Sequence, residues 1–320
     1  MTTFTPLAIG IDMGGTSIKI AVIRGTDIIC KAEPVATMEF GTPEAVFTEV
    51  GKRIRDLQQT YPDIRAVGMG LPGFVDHDAG TADSLANVPG WYGVPVRRLL
   101  EDISGLPVAV DNDANCMAYA EWKLGAGRGM SDIVCLTLGT GVGSGIIANG
   151  RMLRGSMCAA GELGQVSIDY RGRPGYYTNY GALEDYIGHR HLTEDVMAAY
   201  AAAGLQRTEE ECSPLGLEKA AEAGCPVAIV CWEDIARKLA CCLVSCHYIL
   251  NPQAFIIGGG VAKAGEWLFR PLRQFVKDQI YAPHYERLRI LPAELCNDAG
   301  MIGAAAMALN EAEHAKPANS

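Results

Sequence analysis

The chain has 320 residues, of which 49% are hydrophobic and 20% charged, so it can bury a full core and is expected to form two domains. Its net charge of −10 argues against nucleic acid as the main partner, because a phosphate backbone requires a basic surface. The eleven cysteines have no disulfide-framework spacing and are interpreted as buried, reduced thiols. Without a leader-like or membrane-length apolar run, we expect a cytoplasmic protein that does not bind membranes.

The segment from Ile9 to Gly25 predicts two strands joined by a tight, acidic turn. Paired glycines in the turn allow backbone amides to approach an anion closely, and a hydroxyl and a lysine stand nearby. The same glycines also suit an ordinary β-turn. The acid at the end of the first strand favours a binding site. The candidate residues are Asp12, Gly14, Gly15, Thr16 and Lys19.

A second segment, 133–150, repeats this pattern. A gapless alignment of Asp12 with Thr137 also sets Ile18 against Gly143, and Gly25 against Gly150. We therefore expect two related lobes that face each other and offer backbone donors to one ligand, such as a polyphosphate. The candidate residues of the second tip are Gly139, Thr140 and Gly141.

The rest of the chain predicts an α/β fold in which strands alternate with helices. Further strands are expected at 28–35, 64–70, 107–110 and 254–257. Helices are expected at 42–57, 114–124 and 227–250, and a helix of small residues begins at 299.

Two segments after predicted strands admit two interpretations each. The loop from Asp83 to Pro95 carries Asn87 and Trp91, and it is either a substrate-contacting loop or a surface excursion held by the tryptophan. The pair Asn112 and Asp113 stands at a strand end and a helix start, where it can cap the helix or supply a general base.

Three further features are candidates for ligand binding. Glu162 is flanked by glycines and is poorly explained as a solvated charge, whereas Glu184 near a helix start is also explained by the helix dipole. Glycines 258, 259 and 260 follow a strand and suit a nucleotide. A dinucleotide fingerprint is only weakly met there, because Lys263 occupies its third glycine position.

Six segments, in this order, resemble the ROK family of sugar kinases within the actin-like ATPase superfamily. They are DMGGTSIK at 12–19, LPGFVD at 71–76, DNDAN at 111–115, LGTGVGSG at 138–145, AGELG at 160–164 and IIGGGV at 256–261. The likeness extends from about Ile9 to Ala306.

The resemblance implies two actin-like, ribonuclease H-like α/β lobes with mixed sheets and flanking helices around a central cleft. The small lobe would comprise 1–113 and the C-terminal helix at about 300–315, and the large lobe 114–299. The implied reaction transfers the ATP γ-phosphate to a hexose, for which we favour the 6-hydroxyl of glucose. Mg²⁺ would accompany ATP near Asp12. Members of the family are frequently homodimers.

The resemblance also implies roles for single residues. The two hairpin tips would bind the phosphates of ATP, and the third glycine turn would lie beside adenosine. Asp113 would be the general base. The residues assigned to adenosine are Gly258, Gly259 and Gly260, and those assigned to the sugar are Gly73, Asn87, Asn112, Asp113, Glu162, Gln165 and Glu184.

Other functions remain as alternatives. Within the family, the substrate could instead be N-acetylglucosamine, N-acetylmannosamine or fructose. Some members are sugar-responsive repressors that carry a DNA-binding domain ahead of the kinase-like region, and we do not expect such a domain in the eight residues before Ile9. A sugar-responsive regulator without a DNA-binding domain is a further alternative. A nicotinamide-dependent dehydrogenase is disfavoured by the missing third glycine and the duplicated hairpins.

The chain departs from the family at a zinc site. Many members place a histidine after G-E-x-G and then a C-x-C-G-x-x-G-C run, which together bind structural zinc. This chain has Gln165 at the histidine position and the run GYYTNYGA at 175–182. We expect packing of these tyrosines to order the loop that carries Glu184.

The first prediction is that the protein contains no structural zinc, because a tetrahedral site needs thiolate or imidazole ligands that this loop lacks. Elemental analysis of the purified protein should find zinc well below one equivalent per chain. A stoichiometric zinc content would contradict it.

Overall fold

The computed structural model describes residues 5–37, 39–85 and 90–314. These residues divide into two compact units. The first takes in the described residues of Met1–Gly129, Met152–Ala160 and Leu295–Ser320, and the second comprises Met130–Arg151 and Gly161–Glu294.

The first unit is built on a mixed sheet. Its strands are β1 (Leu7–Met13), β2 (Ser17–Arg24), β3 (Asp27–Lys31), β4 (Val35–Ala36), β5 (Ile64–Leu71), β6 (Phe74–Asp76), β7 (Thr81–Ser84) and β8 (Val108–Asn112). Its helices are α1 (Pro43–Thr60), α2 (Val96–Ser104), α3 (Asp113–Leu124) and α11 (Ala299–His314), with a 3₁₀ turn at Cys296–Asp298. The sheet runs β3-β2-β1-β5-β8, with β4 also on β2, and β6 and β7 form a separate ribbon.

The strand pairing confirms the predicted first hairpin. Strands β1 and β2 are antiparallel, whereas β1, β5 and β8 are parallel. The strand expected at 28–35 is instead two short strands, β3 and β4, and both pair with β2. Helix α1 begins after Thr42, whose side chain accepts a hydrogen bond from the backbone of Ala45, and its apolar stripe is buried as predicted.

Large and small residues alternate along the central strands. In β1, Ile9 and Ile11 point into the core that also holds the apolar stripe of α1. The intervening Gly10 stands beside Gly68 of β5 in the register. Helix α11 packs on β1 and β5 at these two glycines. A Cβ atom at Gly68 would lie 1.9 Å from the carbonyl oxygen of Ala304, so only glycine allows this approach.

Helix α11 also packs closely on α3. A Cβ atom at Gly303 would lie 1.7 Å from the carbonyl oxygen of Cys116. This backbone-to-backbone contact places α3 within the first unit, although the sequence analysis assigned residues after 113 to the other lobe.

The second unit has its own mixed sheet, ordered β11-β10-β9-β12-β13. The strands are β9 (Ile133–Leu138), β10 (Val142–Ala148), β11 (Arg151–Met152), β12 (Ala254–Gly258) and β13 (Arg289–Pro292). The α-helices are α4 (Glu184–Ile187), α5 (His189–Ala202), α6 (Glu209–Cys212), α7 (Pro214–Glu222), α8 (Pro226–Leu250), α9 (Glu266–Lys277) and α10 (Ala282–Tyr285), and 3₁₀ helices lie at Leu163–Gln165 and Val261–Ala264. The predicted long helix is α8. Mixed sheets with helices in both units confirm the α/β fold class.

The second hairpin is present, but the gapless alignment of the two hairpins is wrong by one residue beyond the tip. Met13 pairs with Ile18 across the first tip, whereas Leu138 pairs with Val142 across the second. The first tip therefore has four residues and the second three. Because side chains alternate along a strand, this single residue changes which positions of β2 and β10 correspond.

Two expectations concern the chain as a whole. Among the described residues, every helix is too short or too polar to cross a bilayer. All eleven cysteines are free thiols. The expectation that they are buried is only partly correct, because Cys296 is exposed and Cys30, Cys158, Cys225 and Cys241 are half-buried.

The second prediction tests the contact between α11 and the sheet. Gly68→Ala should lower the free energy of unfolding by about 3 kcal/mol or more, because its methyl group has no space against the backbone of α11. Urea denaturation measures this change. Gly260→Ala is the control, since a Cβ atom there meets no atom within 4 Å. Equal stability of the two variants would refute the packing argument.

Candidate active site

The tip of the first hairpin is held by hydrogen bonds and is open to solvent. The amide of Gly14 donates to the carbonyl of Ser17 at 2.9 Å. Thr37 braces the tip, because its hydroxyl donates to the carbonyl of Gly14 at 2.9 Å and its amide to that of Thr16 at 3.0 Å. The buried Thr37 was missed by sequence reasoning, since it lies 23 residues from Gly14. Gly14, Gly15 and Thr16 remain exposed, as a ligand-binding tip requires.

Asp12 and Lys19 are cross-strand neighbours at the base of this tip. The Lys19 Nζ atom lies 3.7 Å from Oδ2 of Asp12, whose side chain is 21% exposed. Burial raises the pKa of Asp12, and the nearby Lys19 cation only partly offsets this. The carboxylate is therefore costly to keep charged, and a bound cation would stabilise it. A hard oxygen donor at this position suits Mg²⁺.

Asn112 connects two segments that the sequence analysis assigned to the sugar. Its Oδ1 atom accepts hydrogen bonds from the amides of Ala114 at 2.9 Å and Asn115 at 3.2 Å, so Asn112 does cap α3. Its Nδ2 group donates to the carbonyl of Gly73 at 3.0 Å. Asn112 therefore caps α3 and also contacts the turn at Gly73.

Asp113 occupies the first turn of α3, directly after β8. Its side chain is half-buried, and Oδ1 accepts a hydrogen bond from the amide of Ala114 at 2.8 Å. The helix dipole favours a carboxylate here. The strand and the helix start thus fix the direction of this acid.

A buried ion pair stabilises the turn at Asn112 and Asp113. Asp111 is 1% exposed, and its Oδ1 atom accepts hydrogen bonds from the Asn112 amide and the Asn115 side chain, both at 2.8 Å. Its Oδ2 atom accepts from two nitrogens of Arg154, at 2.7 and 2.8 Å. A buried carboxylate requires such partners. Sequence reasoning missed Arg154, because nothing in its local sequence indicates a partner 43 residues away.

The second tip is held by residues around the start of α4 and α5. The amide of Gly139 donates to the carbonyl of Gly141 at 2.9 Å, and the amide of His189 donates to the carbonyl of Gly139 at 3.0 Å. The amide of Val142 donates to Oε2 of Glu184 at 2.8 Å. Glu184, which the resemblance assigns to the sugar, therefore holds the second tip.

Three residues assigned to the sugar lie together in the second unit. The Gln165 side chain donates to Oε1 of Glu184 at 3.4 Å. The pKa of Glu162 is raised, first by burial of its carboxyl group and then by the negative charge of Glu184. Two acids and an amide in proximity can recognise several hydroxyl groups at once.

The glycine turn at 258–260 packs beside the second tip. Gly259 has φ +88°, and a Cβ atom there would lie 2.3 Å from the carbonyl oxygen of Leu138, the last residue of β9. The turn leads into the 3₁₀ helix Val261–Ala264. A dinucleotide site requires a long helix beginning at this turn, so the dehydrogenase alternative loses its main support.

The loop in place of the zinc segment is ordered differently from our expectation. Tyr176, Tyr177 and Tyr180 are exposed, so the prediction that their packing orders the loop is wrong. Arg173 orders it instead, with its guanidinium 4.7 Å from the ring centre of Tyr186 and donating to the carbonyl of Asp185 at 2.8 Å. Cation–π and hydrogen-bond contacts replace apolar packing here.

Two remaining expectations concern a loop and a metal. Asn87 lies outside the described residues. Trp91 is buried, with its ring centre 5.5 Å from that of Phe47. Within residues 5–37, 39–85 and 90–314, no three His, Cys, Asp or Glu side chains cluster as metal ligands would.

Comparison with known proteins identifies the family. A sequence profile of the ROK family matches residues 8–311. The chain belongs to the ROK family. It is 32% identical over 317 residues to a glucokinase of Streptomyces coelicolor, an alignment that covers 94% of this chain and 97% of the relative.

Two other proteins are also similar to this chain. The crystal structure of a ROK family glucokinase from Streptomyces griseus, in complex with glucose and AMPPNP, matches with a TM-score of 0.79 and 31% identity, covering 95% of this chain and 99% of that one. A xylose repressor of Caldicellulosiruptor bescii is 27% identical over 314 residues, which cover 95% of this chain and 78% of the repressor. The predicted two-lobe actin-like fold class of the ROK family is confirmed.

The third prediction concerns the partly buried carboxylate of Asp12. Because the pKa of Asp12 is raised in the folded protein, the folded state favours the protonated acid. The stability that this acid contributes is present at low pH, and it is lost as the pH rises above 3.8 and through the pKa of the folded state. Asp12→Asn should therefore gain stability over the wild type as the pH rises from 4.5 to 7.5. Urea denaturation across this range, with the exposed Asp63→Asn as control, measures the difference. A difference that does not change with pH would contradict the prediction.

Proposed function

We propose that this protein is an ATP-dependent glucokinase that phosphorylates the 6-hydroxyl of glucose, with Asp113 as general base. The observation that carries the proposal is the 32% identity, over 94% of the chain, to a protein named glucokinase. This relationship supports a sugar kinase, and the choice of glucose rests on the names of such relatives. The S. griseus glucokinase was crystallised with glucose and AMPPNP, a pair of ligands that agrees with both proposed substrates.

The first unit would supply phosphate and sugar contacts. The exposed backbone of Gly15 and the hydroxyl of Thr16 suit phosphate oxygens, and Lys19 adds a positive charge. Asn112 would bind a sugar hydroxyl while it holds the turn at Gly73. The hydrogen bond between these two residues supports this proposal.

The second unit would supply the matching contacts. Its three-residue tip, Gly139 to Gly141, would bind phosphate, and the neighbouring turn at 258–260 would receive adenosine, because a chain without side chains lets a flat ring approach. Glu162, Gln165 and Glu184 would accept and donate hydrogen bonds to the sugar. A site that satisfies hydroxyl groups in this way discriminates strongly against ligands that lack them.

The proposed reaction needs a proton acceptor for the sugar hydroxyl and a charged binding site for the phosphates. Asp113 accepts the proton of the sugar hydroxyl as the oxygen forms a bond to the γ-phosphorus, and the bond to the β-phosphate bridging oxygen breaks to release ADP. The hydrogen bond from Ala114 fixes one oxygen of Asp113 and so directs the carboxylate. Asp111 and Arg154 would keep this turn in place without touching the substrate.

Mg²⁺ would be held near Asp12 together with the nucleotide. When bound, it supplies positive charge that offsets the negative charge of the phosphates. The residues fit such an ion, because burial disfavours the Asp12 carboxylate without a cation and Lys19 meets only part of that need.

A panel of sugars assayed with Mg-ATP tests the proposal. Glucose, N-acetylglucosamine, N-acetylmannosamine and fructose should be compared by kcat/KM with coupled detection of ADP, and glucose should rank first. A higher value for another hexose would replace glucose and keep the kinase. Sugar binding without ADP formation from any of them would instead favour a regulator.

The fourth prediction concerns the general base. Asp113→Asn should reduce kcat roughly 10²- to 10⁴-fold while the dissociation constant for glucose changes little, because the amide keeps the shape but cannot accept the proton. Steady-state kinetics and calorimetric titration measure the two quantities. Asp76→Asn, outside the proposed sugar contacts, is the matched control. Near-normal turnover of Asp113→Asn would remove this residue as the base.

A further inference from the structure

The loop in place of the zinc segment exposes an unusual number of aromatic rings. We call residues 170–180 the tyrosine loop. Tyr170 is 76% exposed, Tyr176 85%, Tyr177 53% and Tyr180 57%. Exposed rings of this size remain in contact with water unless a ligand covers them, and a dense group of them indicates a binding surface.

The tyrosine loop is fixed to the residues assigned to the sugar. Within the loop, the amide of Gly175 donates to the carbonyl of Asn179 at 2.7 Å and closes a turn that carries Tyr176 and Tyr177. The Asn179 side chain then donates to the carbonyl of Gln165 at 3.1 Å. Gln165 in turn donates to Glu184. A short chain of hydrogen bonds therefore sets the position of the tyrosines relative to the carboxylates.

Tyr177 lies in the turn that the Asn179 side chain ties to the backbone of Gln165. Partial burial raises the pKa of Tyr177, and the charges of Glu162, Tyr176 and Glu184 raise it further, which agrees with this placement. The rings of Tyr176 and Tyr177 are 4.9 Å apart at 88°, an edge-to-face pair that stiffens both side chains.

Carboxylates beside exposed rings match the chemistry of carbohydrates. A pyranose has hydroxyl groups that bind acids, and it has apolar C–H faces that pack on aromatic rings. In the proposed function, Glu162 and Glu184 bind the sugar that is phosphorylated. A ring attached to that sugar would extend toward the nearby tyrosines.

We propose that Tyr176 and Tyr177 form a subsite for the second ring of a glucoside, such as a disaccharide or an aryl glucoside, whose glucose ring binds at Glu162 and Glu184. This inference rests on the proposed function and names a substrate class for the same site. The subsite gains its energy from ring packing, so it selects for the presence of the second ring more than for its hydroxyl pattern.

The test compares methyl and phenyl glucosides of each anomer, together with cellobiose and maltose, as acceptors with Mg-ATP. The wild type should phosphorylate at least one phenyl glucoside with a KM about tenfold below that of the methyl glucoside of the same anomer, as stacking on one ring provides. Tyr177→Ala should abolish this difference, and Tyr177→Phe should retain it because the ring remains.

Two further variants separate the subsite from general damage. Tyr170→Ala removes another exposed ring of the loop, whose centre lies 4.9 Å from the guanidinium carbon of Arg171, and it should leave the phenyl-to-methyl ratio of KM unchanged. Gly175→Ala keeps every ring but moves the turn, since a Cβ atom there would lie 2.4 Å from Oδ1 of Asn179 and 2.8 Å from Oδ2 of Asp185. It should bring the two KM values closer together. Thermal unfolding verifies that each variant is folded.

The possible outcomes are distinct. Equal KM values for phenyl and methyl glucosides in the wild type, or an unchanged ratio in Tyr177→Ala, would overturn the subsite while glucose phosphorylation continued. Phosphorylation of glucose but of no glucoside would also overturn it. Failure to phosphorylate any sugar would instead reject the proposed function, and the inference with it.

Discussion

The first unit depends on the close approach of one helix to the sheet. Gly10 and Gly68 stand side by side on β1 and β5, and the backbone of α11 lies where their side chains would be. The other face of the same strands carries large apolar residues such as Ile9 and Ile11. Because successive side chains of a strand point to opposite faces of the sheet, one face can pack against the helix backbone while the other contributes to the apolar core. The start of α11 also reaches the candidate site, since a Cβ atom at Gly300 would lie 3.1 Å from Cγ of Asp12.

The sequence predicted those features that are encoded locally. Both hairpins, α1, α8 and the turn at Asn112 and Asp113 were predicted correctly, because their apolar periods and turn residues lie within short windows. The four-against-three difference in tip length was missed, since glycine-rich tips align equally well with or without a gap. The partners Thr37 and Arg154 were also missed, because long-range hydrogen bonds leave no local pattern. The tyrosines of the zinc-replacing loop were interpreted as packing residues, although polar anchors from Arg173 and Asn179 already order that loop.

Glu184 illustrates why the role of a site residue is hard to assign from its position in a motif. Its carboxylate accepts a hydrogen bond from Val142 at the second tip and another from Gln165. If glucose binds this acid, the sugar and the second tip share one carboxylate. Binding of the acceptor would then alter the hydrogen bonding of the loop assigned to phosphate, so the two substrates would be expected to influence each other's affinity.

The order in which the chain contributes to the first unit has a consequence for its biosynthesis. A ribosome completes β1 and β5 early, but α11, which covers their glycine face, is added only after residues 130–294 have emerged. During this interval the paired glycines leave part of the nascent sheet uncovered. All segments of the second unit are synthesised first, so this unit can fold while the first unit is still an incomplete intermediate.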